Sequence, residues 1–170
     1  SHIVRGSIPA RCGKVLAQTE PEANSFRYYP YGEATAHIIG FRHPTDGLTG
    51  MENAADTIVS GYYVKDQGNI RKTSVTALKD VRRVGNDVQL TLDADLQRFA
   101  YQLMNGRRGA VVGIDPRNGA IRILLSSPSF DPNHYNRRLN VDPASPLLNR
   151  AIHGRYPPGS TFKIAMAGLA

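Results

Sequence analysis

The 170-residue chain has 21 lysines and arginines against 14 aspartates and glutamates, a formal charge of +7, and 41% of its residues are hydrophobic. This size and composition exclude a disordered chain and leave room for one sizeable core or two small ones. Basic residues occur at most in pairs without a nucleic-acid motif, and the five histidines lack metal-ligand spacing, so neither nucleic acid nor a metal or other cofactor is expected. The single Cys12 allows no internal disulfide bond, and no apolar run reaches 18 residues, which predicts a soluble chain as it stands.

The first half of the chain carries signals for short strands, turns and one helix. Residues 5–17 hold two glycines and a proline around an apolar run, which favours strand, tight turn and strand, and residues 28–32 read as another turn. Residues 51–59 have the i, i+3, i+4, i+7 spacing of a helix that Gly61 ends, and residues 66–69 read as a hairpin turn. The predicted apolar face of that helix consists of Met51, Ala54, Ala55 and Ile58.

The pattern changes near Gly85–Asn86, which we interpret as a domain boundary, so that the predicted domains are residues 1–86 and 87–170. Beyond it, residues 88–92 alternate between apolar and polar side chains as in a half-buried strand. Asp93 is expected to cap a helix that stops at Asn105–Gly106 and packs on a sheet. The predicted packing face of this helix consists of Leu96, Phe99, Ala100 and Leu103.

A β-hairpin is the strongest local prediction in the second half. Two apolar strands, 110–114 and 121–125, flank the segment 115–119, which has proline early and glycine late. Residues 126–145 follow as a long loop rich in Ser, Pro, Asn and Asp, and such loops often surround functional sites.

The chain then reaches Ser160 and Lys163, which are three residues apart at the start of an apolar stretch. Residues three apart face each other on a helix, so the hydroxyl and the amine are expected to meet. Because the stretch is apolar on nearly every side, the helix is expected to be buried, which would desolvate Lys163, lower its pKa and make it a base for the serine. The stiff Pro157–Gly159 segment before Ser160, and the helix amides after it, suit a nucleophile and an oxyanion hole. The alternative is a serine-capped core helix with a snorkelling lysine.

Six stretches of the sequence, in order, resemble the class B penicillin-binding proteins, which are monofunctional peptidoglycan D,D-transpeptidases. The first differs from the family's usual Asp-Arg-Asn-Gly run by having residues 10–13, Ala-Arg-Cys-Gly, in its place. The stretches are 5–17, 29–40, 50–61, 85–97 with 109–119, 127–133, and 149–151 with 156–163.

This resemblance implies an α+β fold in two parts. Residues 1–86 would form the small non-catalytic domain that the family calls a pedestal. Residues 87–170 would form the first strand, helix, hairpin and nucleophile helix of a penicillin-binding, serine β-lactamase-like transpeptidase domain. By the same resemblance, Ser160 is the nucleophile and its backbone N–H an oxyanion donor, while Lys163 is the proposed general base. The substrate would be a stem peptide ending in D-Ala-D-Ala, and β-lactams would acylate Ser160.

The family has two further active-site motifs, Ser-x-Asn and Lys-Thr-Gly, and neither occurs in this chain. The resemblance therefore suggests an N-terminal fragment that is inactive alone and that the remaining C-terminal part of the same protein could complete. It also implies an N-terminal membrane anchor upstream of residue 1, a location on the outer face of the bacterial cytoplasmic membrane, and a membrane glycan polymerase as partner.

Two alternative functions stay open at this point. A serine β-lactamase or β-lactam sensor shares the Ser-x-x-Lys motif, although it would not explain the N-terminal stretches. The chain could also serve mainly as a protein-interaction module through its pedestal.

Overall fold

The computed structural model describes residues 3–20, 26–66, 69–72 and 83–168. In chain order the strands are β1 (Ile3–Val4), β2 (Ile8–Pro9), β3 (Val15–Thr19), β4 (Arg27–Tyr28), β5 (Arg42–His43), β6 (Gly47–Leu48), β7 (Tyr63–Asp66), β8 (Asn69–Lys72), β9 (Arg83–Val84), β10 (Gly109–Ile114) and β11 (Ile121–Ser127). The α-helices are α1 (Ala36–Ile39), α2 (Gly50–Ala54), α3 (Asp56–Val59), α4 (Ala94–Met104), α5 (Arg150–His153) and α6 (Phe162–Ala167). No helix in these ranges is both long and apolar enough to span a bilayer.

Short antiparallel sheets make up most of the N-terminal part. Strands β2, β3 and β4 form a three-stranded sheet, β5 pairs with β6, and β7 pairs with β8. The predicted strand, turn and strand over residues 5–17 is confirmed, and Gly13 supplies the left-handed residue of the turn with φ 80°. The hairpin around residues 66–69 is also confirmed in its two strands, while Gln67 and Gly68 at its tip lie outside the described residues.

The helix predicted over 51–59 is instead two short helices, α2 and α3, separated at Ala55. Its predicted apolar face is also wrong in part, because Ala54 and Ile58 are exposed. The buried face carries Glu52, Ala55 and Val59. The physical reason is that two arginines of the neighbouring strand segments hold the Glu52 carboxylate inside the molecule, which turns Glu52 and its i+3 and i+7 neighbours inward.

One hydrophobic cluster crosses the predicted domain boundary. It contains Ile8 and Leu16 of the N-terminal sheet, Val59 of α3, and also Leu92 and Ala94 at the start of α4. A second cluster joins Ala36 and Phe41 to Phe130. The two parts of the sequence therefore share their cores, and the boundary near residue 86 stays a prediction about the sequence.

The segment predicted as a strand over 88–92 forms no regular strand but keeps the predicted alternation of burial. Val88, Leu90 and Leu92 are at least partly buried while the intervening side chains are exposed. The Val88 and Leu90 amides donate to the carbonyls of Ser7 and Pro9, at 3.0 and 2.8 Å. The segment thus lies along β2 and links the two parts of the chain.

Helix α4 begins and ends where the sequence predicts. Asp93 accepts hydrogen bonds from the amides of Asp95 and Leu96, each at 3.2 Å, and Asn105 takes the left-handed conformation that ends the helix.

The predicted packing face of α4 is mostly wrong. Leu96, Phe99 and Leu103 are 45%, 57% and 64% exposed, whereas Ala94, Gln97 and Ala100 face inward. Gln97 decides the orientation, since its side chain makes three hydrogen bonds: to the Ala34 carbonyl at 2.7 Å, the Leu124 carbonyl at 2.9 Å and the Leu124 amide at 3.0 Å. A buried amide that satisfies both its donors and its acceptor fixes which side of the helix meets the sheet.

The hairpin of β10 and β11 is confirmed. The strands pair from Gly109↔Ser127 to Ile114↔Ile121, with a bulge between Gly113 and Ile114. Gly119 closes the turn in the left-handed conformation with φ 70°, and its amide donates to the Asp115 carbonyl at 2.8 Å.

Asp115 gives this hairpin a pH dependence that can be measured. Hydrogen bonds from the Arg117 side chain and amide, and from the Arg122 side chain, hold the pKa of the Asp115 carboxyl well below its usual range. A lowered pKa stabilises the fold fully above the unfolded-state pKa of about 4, and this stabilisation is lost as pH falls below that value toward the folded-state pKa. The variant Asp115→Asn lacks this titrating group. Its unfolding free energy should therefore fall less than that of the unsubstituted protein when the pH is lowered from about 5 to about 2. Urea denaturation at several pH values measures both. Equal losses in the two proteins would contradict the role assigned to Asp115.

Candidate active site

The polypeptide that leads to Ser160 is anchored at α5. Asn149 caps this short helix by accepting a hydrogen bond from the Ala151 amide at 3.1 Å, and its side-chain amide donates to the His37 carbonyl at 3.3 Å. The neighbouring Arg150 is buried, and its own amide donates to the Ser126 hydroxyl at 2.9 Å. Hydrogen bonds to the end of β11 and to α1 thus fix the position of the start of α5.

His37, in α1, joins the N-terminal part of the chain to the loop before α5. Its Nε2 lies 2.7 Å from the Pro146 carbonyl oxygen, and its ring packs edge-on against Phe130 with centroids 5.5 Å apart. Burial lowers the pKa of His37, although the hydrogen bond to the Pro146 carbonyl acts in the opposite direction. Because a carbonyl oxygen can only accept, the His37 Nε2–H is the hydrogen-bond donor at this contact.

A cavity of about 610 Å³ lies beside these contacts, between α1 and α5. Phe41, Phe130 and Tyr135 form an aromatic part of its wall, with Phe41 and Tyr135 stacked at 4.0 Å between ring centroids. Neither Ser160 nor Lys163 lines it. The cavity therefore belongs to the junction between the two parts of the chain rather than to the predicted nucleophile.

Ser160 and Lys163 lie in one continuous helical segment, as the sequence predicts. Residues Gly159–Thr161 form a single 3₁₀ turn that runs directly into α6, and the Phe162 amide donates to the carbonyls of Gly159 and Ser160. The Thr161 hydroxyl donates back to the Pro158 carbonyl, which ties the turn to the prolines before it. The two residues are therefore separated by one turn, although the assignment of nucleophile and base to them stays a prediction.

The expected burial of this helix is wrong for this chain. None of the described residues of α6 is buried, and Ser160 and Lys163 are themselves exposed. The apolar side chains of Phe162, Ile164 and Met166 are 55%, 81% and 55% exposed. The physical reason is that an apolar sequence becomes buried only where another element covers it, and none of the described elements does so here. Leu169 and Ala170 at the end of the stretch lie outside the described residues.

Sequence reasoning missed the polar residues that join the two parts of the chain. Asn133 of the long loop accepts from the Tyr29 amide at 2.9 Å and donates to the Tyr29 carbonyl at 3.1 Å, as a paired strand would. Gln97 and His37 make the corresponding contacts from α4 and α1. Glutamine, asparagine and histidine are usually exposed, so composition and periodicity give no signal for such roles.

Two protein-family models match most of the chain. Residues 5–88 match the model described as "Penicillin binding protein A dimerisation domain", and residues 109–170 match "Penicillin binding protein transpeptidase domain". The peptidoglycan D,D-transpeptidase MrdA of Escherichia coli K12 is 37% identical in an alignment of 180 residues, gaps included, that spans 85% of this chain. The chain belongs to the class B penicillin-binding proteins.

Other members of this family agree in sequence and in structure. The peptidoglycan D,D-transpeptidase PbpA of Mycolicibacterium smegmatis is 36% identical over 98% of this chain. The imipenem acyl-enzyme complex of penicillin-binding protein A from Mycobacterium tuberculosis superposes with a TM-score of 0.80 and 34% identity over 99% of this chain. These matches confirm the mixed helix-and-strand fold predicted for a class B penicillin-binding protein, with a pedestal followed by part of a transpeptidase domain.

The matched region is only part of each relative. The chain spans 28% of the Escherichia coli protein, 37% of the Mycolicibacterium protein and 43% of the crystallised Mycobacterium tuberculosis chain. Each of these relatives therefore contains many residues outside the region that matches this chain.

Proposed function

We propose that the full-length protein is a serine D,D-transpeptidase that crosslinks peptidoglycan stem peptides, with Ser160 as nucleophile and Lys163 as general base. The observation that carries this proposal is the stiff Pro157–Gly159 approach to a 3₁₀ turn that holds Ser160 three residues before Lys163. This segment lies inside the region that matches the transpeptidase domain. Two solved structures similar to this chain are acyl-enzyme complexes of penicillin-binding protein A from Mycobacterium tuberculosis, with imipenem and with penicillin G, which supports a covalent mechanism.

The proposed reaction has two steps. The Ser160 hydroxyl oxygen attacks the carbonyl carbon of the penultimate D-Ala, and Lys163 accepts the hydroxyl proton. The C–N bond to the terminal D-Ala breaks, the proton passes to the departing amine, and an ester links Ser160 to the peptide. The amine of a second stem peptide then attacks this ester, forms the crosslink and returns a proton to Ser160. The backbone amide of Ser160 supplies one oxyanion donor.

A β-lactam would react in the same way, except that the lactam C–N bond breaks within a ring. The leaving nitrogen then stays attached to the acyl group, so the adduct retains every atom of the drug. We expect the 170-residue chain alone to be inactive as a transpeptidase, because neither Ser-x-Asn nor Lys-Thr-Gly occurs in it and α6 is uncovered.

Mass spectrometry of the full-length protein after penicillin treatment tests the proposal. The intact mass should rise by the full mass of the drug. Trypsin cuts after Arg155 and Lys163, so the adduct should appear on the single peptide of residues 156–163. An adduct on another peptide, or none, would refute the assignment. An adduct that forms and then hydrolyses rapidly would favour the serine β-lactamase alternative.

We further propose a location on the outer face of the bacterial cytoplasmic membrane, through an anchor outside this chain, and a membrane glycan polymerase as partner. Support comes from the dimerisation-domain match over residues 5–88. It also comes from a 32% identical solved relative described as the transpeptidase domain of a peptidoglycan glycosyltransferase from Eggerthella lenta. Co-purification of the full-length protein from detergent-solubilised membranes tests the partner, and recovery without any glycan polymerase activity would count against it.

A further inference from the structure

Arg150 carries a buried positive charge that has no carboxylate partner among the described residues. Only 4% of the residue is exposed. Its guanidinium donates to three main-chain carbonyl oxygens: those of Ala144 at 2.7 Å, Ser145 at 3.1 Å and Leu148 at 3.4 Å. Arginine stays charged in proteins, so these carbonyls must compensate for its lost hydration. Such an arrangement fixes the loop that supplies the carbonyls.

That loop is held in an uncommon conformation. Ser145 has φ 51°, in the left-handed region that non-glycine residues seldom adopt. Its amide donates to the Asp142 carbonyl at 2.8 Å, and the Leu148 amide donates to the Ser145 carbonyl at 3.2 Å. The planar guanidinium reaches across both sides of this turn, so it stabilises the turn and the start of α5 as one unit.

The same unit is attached to the hairpin through Ser126. The Ser126 hydroxyl donates to the Leu148 carbonyl and accepts from the Arg150 amide, both at 2.9 Å. Ser126 belongs to β11 and is 1% exposed. The start of α5 therefore has a defined position relative to the sheet.

A short, restricted path connects α5 to the nucleophile. Gly154 follows α5 directly, and a Cβ atom there would lie 2.4 Å from the Arg150 carbonyl oxygen and 2.5 Å from the Tyr156 ring. The backbone at Gly154 is thus packed between the helix and that ring. Pro157 and Pro158 come next and limit the remaining freedom before Ser160.

We propose that Arg150 is a positioning residue for Ser160: by holding three carbonyls of the 144–148 loop, it fixes α5 and hence the place of the nucleophile turn. This inference rests on the proposed function of Ser160. It differs from a role in folding alone, because a displaced but folded α5 would move the serine hydroxyl away from its attack position. Displacements of about 1 Å at a reacting atom can reduce rates by about 100-fold.

The test measures acylation kinetics of the full-length protein with a fluorescent penicillin. For Arg150→Lys we expect the acylation rate constant to fall by about 10- to 100-fold, because one ammonium cannot reproduce the fork that spans three carbonyls. The labelled fraction at saturation should stay near that of the unsubstituted protein. Arg138→Lys is the matched control at an exposed arginine, and its rate constant should not change.

The two measured quantities separate positioning from folding. A lower labelled fraction with an unchanged rate constant would overturn the proposal and leave Arg150 a purely structural residue. If Arg150→Lys does not fold, Ser126→Ala decides, since it removes only the hydroxyl bridge; it should slow acylation about threefold or more, and an unchanged rate constant would again overturn the proposal. Failure of the proposed function itself would appear differently, as continued labelling of a Ser160→Ala variant.

Discussion

Replacing Ser160 by alanine in the full-length protein should abolish covalent labelling by penicillin and stop transpeptidation. Without the hydroxyl oxygen no ester can form, so the fall in rate should be about 10⁴-fold or more, the scale seen when a serine nucleophile is removed. Gel fluorescence after incubation with a fluorescent penicillin measures the first effect. Crosslinking of purified stem peptides, followed by chromatography, measures the second.

Thr161→Ala provides the matched control for this result. Thr161 is the adjacent residue, it is exposed, and its hydroxyl donates to the Pro158 carbonyl. Its removal loosens the turn but leaves the proposed nucleophile in place, so labelling should persist. If Ser160→Ala is labelled as strongly as the unsubstituted protein, Ser160 is not the nucleophile. If Thr161→Ala alone loses its label, the neighbouring hydroxyl is the reactive group.

Replacing Glu52 by glutamine should destabilise the protein by about 3–5 kcal/mol, the usual effect of removing one partner from a buried ion pair. Glu52 is fully buried, and its carboxylate bridges Arg5 at 3.1 Å and Arg27 at 2.5 Å. Asp56 also binds Arg5, at 2.6 Å, but is partly exposed. Glutamine would leave the two buried guanidinium groups with only the Asp56 carboxylate among these partners. In addition, the side-chain NH₂ group of the glutamine would face a guanidinium N–H, so that two hydrogen-bond donors would oppose each other. Urea denaturation of the full-length protein measures the effect.

Glu33→Gln is the control for charge removal, because Glu33 is exposed and its carboxylate accepts a hydrogen bond from Tyr101. Its effect should be at most about 1 kcal/mol, as for exposed polar contacts. A loss of similar size in both variants would show that the burial of Glu52 contributes little.

The sequence predicted those features of the fold that depend on neighbours in the chain. The cap at Asp93, the left-handed stop at Asn105 and the turn that Gly119 closes each depend on the chemistry of one residue. The same holds for the run from Ser160 into α6, where a serine and a lysine three residues apart had to share one turn.

Features that depend on distant partners could not be predicted in this way. Glu52 has the polarity of a surface residue, and its burial follows from arginines 47 and 25 residues away in the sequence. The apolar residues of α4 suggested a packing face that included Leu96, Phe99 and Leu103, whereas Gln97 rotates the helix away from that face by bonding to the carbonyls of Ala34 and Leu124. Burial of α6 was expected because an apolar helix is usually covered, but coverage is a property of the assembled molecule rather than of the segment.

The shared core has a practical consequence for protein engineering. Cutting the gene at residue 86 would separate Ile8, Leu16 and Val59 from Leu92 and Ala94, which pack together in one hydrophobic cluster. It would also remove the Ala34 carbonyl that Gln97 requires and the Tyr29 backbone that Asn133 pairs with. An expression unit for crystallography or inhibitor screening should therefore begin upstream of Arg5, and chimaeras between relatives should keep the residues on both sides of position 86 together.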